Sequence, residues 1–263
     1  MRQDLRLKTI ALGLHDFGMR TLAFSLIAWL AILDLAELQA TEPQVQPALI
    51  GNGPKALINV IDTKKLMEKG QRDGLVMFKA WVNRLGMVWV YNTYRETPGS
   101  ELLKEKVGDA LVGCRFSPAI YNGKRTDVAL LGTVVFVVAD GKPHLRIYMN
   151  QNHDDLAKGN DFNAPQLVAS SVDFKGSQYE WSGYKYGGVG WTTQLSVSVD
   201  ANGNQKDLKV TLEDPPGFGF GAMARNAYAK AKWIPGFRNG RPVYCTFEYP
   251  DWGRTWHLGQ PHN

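Results

Sequence analysis

The chain of 263 residues carries 44% hydrophobic, 11% aromatic and 21% charged residues, which excludes wholesale disorder and leaves room for one or two packed domains. It has no apolar run of the roughly eighteen residues that a spanning helix takes, which excludes a polytopic membrane protein, and its two cysteines are too few for a disulfide scaffold or a four-thiolate zinc site. The formal charge is only +5, and Lys and Arg are spread among 25 acidic residues, so no nucleic-acid groove is expected.

Thr21 to Leu33 is the one strongly apolar run, 13 residues preceded by Arg20. That length suits the hydrophobic region of a signal peptide and is short for a membrane span. Leu38-Gln39-Ala40 then ends in a small residue, so residues 1–40 are expected to be an export signal cut after Ala40, with Met19 a tidier start than Met1. Asp34, Glu37 and the large Leu38 depart from the usual pattern, which keeps an uncleaved anchor and a plain amphipathic segment as alternatives. Residues 41–73 form a lead segment in which Leu57, Val60, Ile61 and Met67 are expected to pack.

The body repeats itself at a fixed offset of 117 residues. Gly86 matches Gly203, Glu96 matches Glu213, Pro98 matches Pro215, Phe116 matches Trp233, Pro118 matches Pro235, and Asn122-Gly123 matches Asn239-Gly240. In the first copy, residues 74–149, Phe78, Ala80 and Val82 alternate before a turn at Asn83–Gly86, and Met87–Tyr94 reads as the partner strand. Leu103, Val107, Ala110 and Cys114 make one helical stripe. Val128–Val138 is apolar throughout, the mark of a strand covered on both faces, and it turns at Ala139–Lys142 into His144–Met149.

A connector, 150–189, precedes the second copy, 190–263. There Leu195, Val197 and Val199 alternate, Asp200–Gly203 supplies a tight turn, and Leu208, Val210 and Leu212 alternate in return. Phe220, Ala224, Ala227 and Ala231 form the second stripe, and Val243, Cys245 and Phe247 alternate along a last strand. Each unit therefore reads strand, strand, helix, strand, and the predicted class is α+β: two tandem units, each an antiparallel sheet with one packed helix.

Pro215-Pro216-Gly217-Phe218-Gly219-Phe220, the Ala-rich helix, Lys232-Trp233-x-Pro235 and Asn239-Gly240-x-Pro242-Val243 resemble the C-terminal domain of the TonB family of energy transducers. The resemblance covers 190–249 and, less closely, 74–138, where Phe116 and Arg125 depart from the family's tryptophan and proline. It implies a periplasmic, non-catalytic protein-binding module. It also implies a protein partner, such as a segment of an outer-membrane receptor, that adds as a strand to a sheet edge. Carried onto this chain, the candidate edge is Val243, Tyr244, Cys245, Thr246, Phe247, Glu248 and Tyr249, with Tyr244, Thr246 and Glu248 facing away from Val243, Cys245 and Phe247. The opposing expectation is that the aromatic tail (Trp252, Trp256, His257) or the first copy covers this edge, or that the two copies pack as a pseudo-symmetric pair.

Two further functions stay open. A retained N-terminal segment makes the chain an inner-membrane-anchored transducer facing the periplasm, although 41–73 lacks the extended Pro-rich spacer that role needs. The aromatic, glycine-rich stretch Ser182–Gly190 suits a glycan or small-molecule binder or hydrolase, but it precedes a strand and so is not a phosphate-cradling loop. His153-Asp154-Asp155 is the densest polar cluster. It is expected to be a solvated loop, with a calcium-type oxygen cluster as the alternative. No nucleophile elbow and no suitably spaced carboxylate or Cys–His pair occurs, so no catalytic residue, metal or cofactor is expected. Cys114 and Cys245 are expected to act as small hydrophobes in separate cores.

Overall fold

The computed structural model describes residues 44–172 and 190–254. The apolar run Thr21–Leu33 with its cleavage point, the stretch Ser182–Val189, and Trp256, His257 and His262 lie outside the described residues. Of the chain's two units, Met1–Glu42 and Pro43–Asn263, the second contains every residue described here. Among the described residues, no helix is long and apolar enough to cross a membrane.

The first half comprises β1 (Val45–Gln46), α1 (Leu57–Val60), α2 (Thr63–Glu68), β2 (Gly74–Val82), β3 (Val88–Glu96), α3 (Glu101–Gly113), β4 (Ala119–Tyr121), β5 (Lys124–Thr126), β6 (Val128–Ala139) and β7 (Lys142–Tyr148). Then come α4 (His153–Lys158), β8 (Phe162–Asn163), β9 (Gln166–Val168) and a 3₁₀ turn at Ala169–Ser171. The second half comprises β10 (Gly190–Val199), β11 (Gln205–Asp214), α5 (Phe220–Tyr228), β12 (Trp233–Ile234), β13 (Gly236–Arg238), β14 (Arg241–Val243) and β15 (Cys245–Arg254). The class is α+β, with antiparallel sheets and few helices. At the 117-residue offset, β4 and β5 land on β13 and β14, the start of β6 lands on that of β15, and β2, β3 and α3 overlie β10, β11 and α5 to within two residues at their ends.

The turns form where the sequence supplies left-handed conformations. Asn122-Gly123, Asp140-Gly141 and Asn239-Gly240 all have positive φ at both positions, as two-residue hairpins require. Helix α5 likewise begins at Gly219, φ 85°, where the Glu213 carboxylate accepts from the Gly219 and Phe220 amides at 2.6 and 3.1 Å.

Two cores result. Val76, Phe78, Ala80 and Val82 of β2 and Val128, Leu130, Val134 and Phe136 of β6 pack against Leu103, Val107, Ala110 and Leu111 of α3. From the lead segment, Leu57 and Ile61 join this core and Met67 lies against it, whereas Val60 is exposed. On the opposite face of the same sheet, Ala129, Leu131 and Leu167 share a second core with Leu195, Val197, Val199, Ala224, Ala227, Tyr228, Trp233 and Tyr249. Strand β6 is thus buried on both faces along most of its length, as its unbroken apolar sequence predicts. The second sheet, ordered β11-β10-β15, packs with α5 on the back of the first, so β3, β11 and β15 all remain edge strands.

The connector departs from expectation. Gln166–Val168 is a strand of the six-stranded first sheet, pairing with β6 through Val128↔Val168 and with β12 through Trp233↔Leu167. The second half therefore contributes a strand to the first sheet. Three residues are too few to show a period, so local pattern gave no sign of it. The buried Gln166 side chain also closes two hydrogen bonds, both 2.8 Å, with the backbone of Ala48.

Among the described residues, two buried hydroxyls have no hydrogen-bond partner, those of Thr193 and Tyr249. Thr193 is fully buried, and among the described residues its hydroxyl makes no hydrogen bond. The residue at the matching position of the first copy is the fully buried Val76. An unsatisfied buried hydroxyl costs about 1–3 kcal/mol, so Thr193→Val is expected to stabilise the protein by about 1 kcal/mol, measured as a rise in the urea midpoint. A lower midpoint would show that the hydroxyl is satisfied.

Candidate partner-binding edge

The expected edge, Val243–Tyr249, divides in the structure. The Asn239-Gly240 turn holds Arg241–Val243 against Gly236–Arg238, so Val243 belongs to the short hairpin strand β14 and not to the long strand. Tyr244 stands at the break with its side chain 61% exposed. Cys245, Thr246, Phe247, Glu248 and Tyr249 open β15, paired with β10 in the register Val199↔Cys245, Val197↔Phe247 and Leu195↔Tyr249. Cys245 and Phe247 are half-buried and Tyr249 fully buried, while Tyr244, Thr246 and Glu248 are exposed.

Strand β15 pairs on one side only, because the sheet ends there. Pro250 reveals which main-chain groups face outward. Proline has no N–H to give a ladder and is tolerated in an edge strand where that N–H would face out. Its carbonyl does point away from β10, accepting a hydrogen bond from Lys79 Nζ at 2.9 Å. Residues two apart share a direction in a strand, so the N–H and C=O groups of Thr246 and Glu248 also face outward. Cys245, Phe247 and Tyr249 make the ladder to β10.

Beside Thr246–Glu248 lies a crevice of about 280 Å³, whose far wall is formed by Leu131, Asn150, Gln151, Asn152, His153 and Phe162. Its amides are held from behind. Asn150 donates to the Phe162 carbonyl at 2.7 Å. Gln151 donates to the carbonyls of Phe78 and Gly132 and accepts from the Tyr94 hydroxyl. Asn152 caps α4 through the Asp155 amide at 3.0 Å. The exposed face of the sheet is laced by a polar ladder: Ser198 to Thr246 at 2.8 Å, and Gln194 and Thr211 to Glu248 at 3.0 and 3.1 Å. These bonds fix side chains around the edge and leave its outward backbone unpaired among the described residues.

Lys79 ends the row. It is 3% exposed, bonds Asp251 Oδ1 at 3.2 Å, and lies 4.2 and 5.1 Å from the Tyr249 and Trp252 ring centres. Burial draws its ammonium pKa down, and the Asp251 carboxylate opposes that shift. The Tyr228 hydroxyl donates to the other Asp251 oxygen at 2.9 Å. Sequence reasoning missed this residue. The available signal was a lone lysine inside the run Val76–Val82, on the face opposite the alternating core residues.

The polar cluster His153-Asp154-Asp155 opens α4 rather than a loop, and His153 and Asp154 are solvated as expected. Asp155 is buried, grips Arg238 with both oxygens at 2.7 and 3.1 Å, and ties α4 to β13. The Arg238 guanidinium holds its carboxyl below the usual range. Local pattern missed this because the partner lies 83 residues away, in the second copy. Both cysteines are free thiols, and burial pushes each up to about 11. Among the described residues, no cluster of three or more His, Cys, Asp or Glu side chains is placed to hold a metal ion.

Comparison with known proteins adds no relative: no family model, curated protein or solved structure matches the chain.

Proposed function

We propose that this chain is an exported, non-catalytic protein-interaction module, similar in kind to a TonB C-terminal domain, which binds an extended partner segment by adding it to the outer edge of β15. The observation that carries the reading is the outward backbone of Thr246 and Glu248, set beside a crevice able to take a partner side chain. Main-chain hydrogen bonds supply affinity in this mode, and side-chain pockets supply selectivity. The placement in the periplasm rests on the apolar run Thr21–Leu33. The polar, self-satisfied side chains around the edge suit recognition of backbone better than chemistry on a substrate.

Proline scanning tests this. Thr246→Pro removes an outward N–H and leaves the ladder to β10 intact, as Pro250 already does four residues further on. The variant is expected to stay folded by circular dichroism. It should bind extended peptides from the periplasm-facing ends of outer-membrane receptors about tenfold more weakly or worse, since one hydrogen bond and the room for a strand are both lost. Phe247→Pro, which removes a ladder N–H, is expected to unfold the second sheet. Wild-type peptide affinity in folded Thr246→Pro would overturn the reading.

A further inference from the structure

A second hollow, further along β6 and lined by other residues, has the chemistry of a ligand site. The face of β6 that is covered by the second sheet at Ala129 and Leu131 emerges uncovered at Val135, Val137 and Ala139, with Val137 36% exposed. These residues and Leu156 of α4 floor a hollow of about 550 Å³, inside the roughly 300–1,000 Å³ range of small-molecule pockets. Strand β7 raises one wall: Arg146 stands opposite Val135 and His144 opposite Val137.

The polar groups of that wall converge. Arg146 Nη1 and Tyr148 Oη each lie 3.7 Å from the point that a Cβ on Gly159 would occupy, so the two donors approach one spot at the end of α4. Gly159 holds the left-handed conformation there, φ 64°, and presents no side chain of its own. Among the described residues, neither Arg146 nor Tyr148 has an ion-pair or hydrogen-bond partner, and no Asp or Glu lines the hollow. The nearby Asp155 carboxylate is held by Arg238. An unpaired guanidinium fork beside a phenol, above an apolar floor, is complementary to a carboxylate carrying a hydrocarbon body.

We propose that this hollow binds a free aliphatic monocarboxylate of medium chain length, its head on Arg146 and Tyr148 and its chain along Val135, Val137, Ala139 and Leu156. The site shares no residue with the β15 edge or its crevice and stands or falls independently of strand addition. The test is a titration of the full chain with sodium decanoate below its micelle-forming concentration, followed by amide shifts in two-dimensional NMR. Saturable shifts confined to Val135–Ala139 and His144–Gly159 are expected. Butyrate, which lacks the chain, and decanol, which lacks the charge, should each bind about tenfold more weakly or worse. Arg146→Gln is surface-exposed and is expected to keep the native spectrum while losing decanoate affinity by a similar factor. Val137→Asp, which places a carboxylate on the floor, should abolish binding. No saturable shift, equal binding of decanol and decanoate, or undiminished affinity in Arg146→Gln would each overturn the proposal.

Discussion

Replacing Lys79 by alanine is expected to destabilise the protein by about 3–5 kcal/mol, read as a lower denaturant midpoint at unchanged slope. The side chain arises from the first sheet and ends on the second, where its ammonium bonds the Pro250 carbonyl and Asp251 and lies over Tyr249 and Trp252. Truncation removes the positive charge from beside a carboxylate that stays buried, and it leaves a void among aromatic rings. The loss reflects mainly the buried Asp251 charge deprived of its ammonium, because forming a buried ion pair returns little more than the desolvation it costs. The double replacement Lys79→Met with Asp251→Leu is therefore expected to recover most of the stability lost by Lys79→Ala. A loss below about 1 kcal/mol for Lys79→Ala, the size of a surface pair, would show that the ammonium does not couple the two sheets. Equal losses in the single and double variants would show that packing rather than charge dominates.

What could be read from sequence was whatever depends on neighbours in the chain. Alternation in Leu195–Val199, the stripes of α3 and α5 and the Asn-Gly turns are local patterns that sit where their periods place them, except that the last stripe members, Cys114 and Ala231, are buried just beyond the helix ends. The unbroken apolar run of β6 also told that both its faces would be covered, which holds from Val128 to Val134 and fails at the exposed Val137. What escaped depends on residues far apart in sequence. Nothing near Gln166–Val168 says that it pairs with both β6 and β12, and nothing near Asp155 names Arg238. The edge was legible in part: the alternation of Tyr244–Tyr249 is as expected, but the hairpin that detaches Val243 follows from pairing with β13. The crevice beside Thr246–Glu248 was invisible, because its far wall comes from the other half of the chain. Lys79 shows the same limit from the opposite side, since a buried lysine makes sense only once Asp251 stands next to it.

Gly203→Ala is expected to cost about 3 kcal/mol or more, from two separable causes. The first is conformational: Gly203 sits at φ 80° in the β10–β11 turn, where an L-residue loses roughly 1–2 kcal/mol. The second is contact, because a Cβ there would stand 2.2 Å from the Trp233 carbonyl oxygen, which is backbone and belongs to a fully buried residue paired into the first sheet. Gly86 repeats the arrangement at φ 79°, with the Phe116 carbonyl 2.0 Å from the same position. Gly217 separates the causes: it has φ 79° but nothing within 4 Å of its would-be Cβ. In chemical unfolding, Gly217→Ala should therefore show the conformational loss alone, and Gly203→Ala and Gly86→Ala should exceed it by at least about 1 kcal/mol. Equal losses at all three would mean that the backbone after each helix yields freely to the turn. The matched glycines would then be conserving a turn shape rather than holding Phe116 and Trp233 in register.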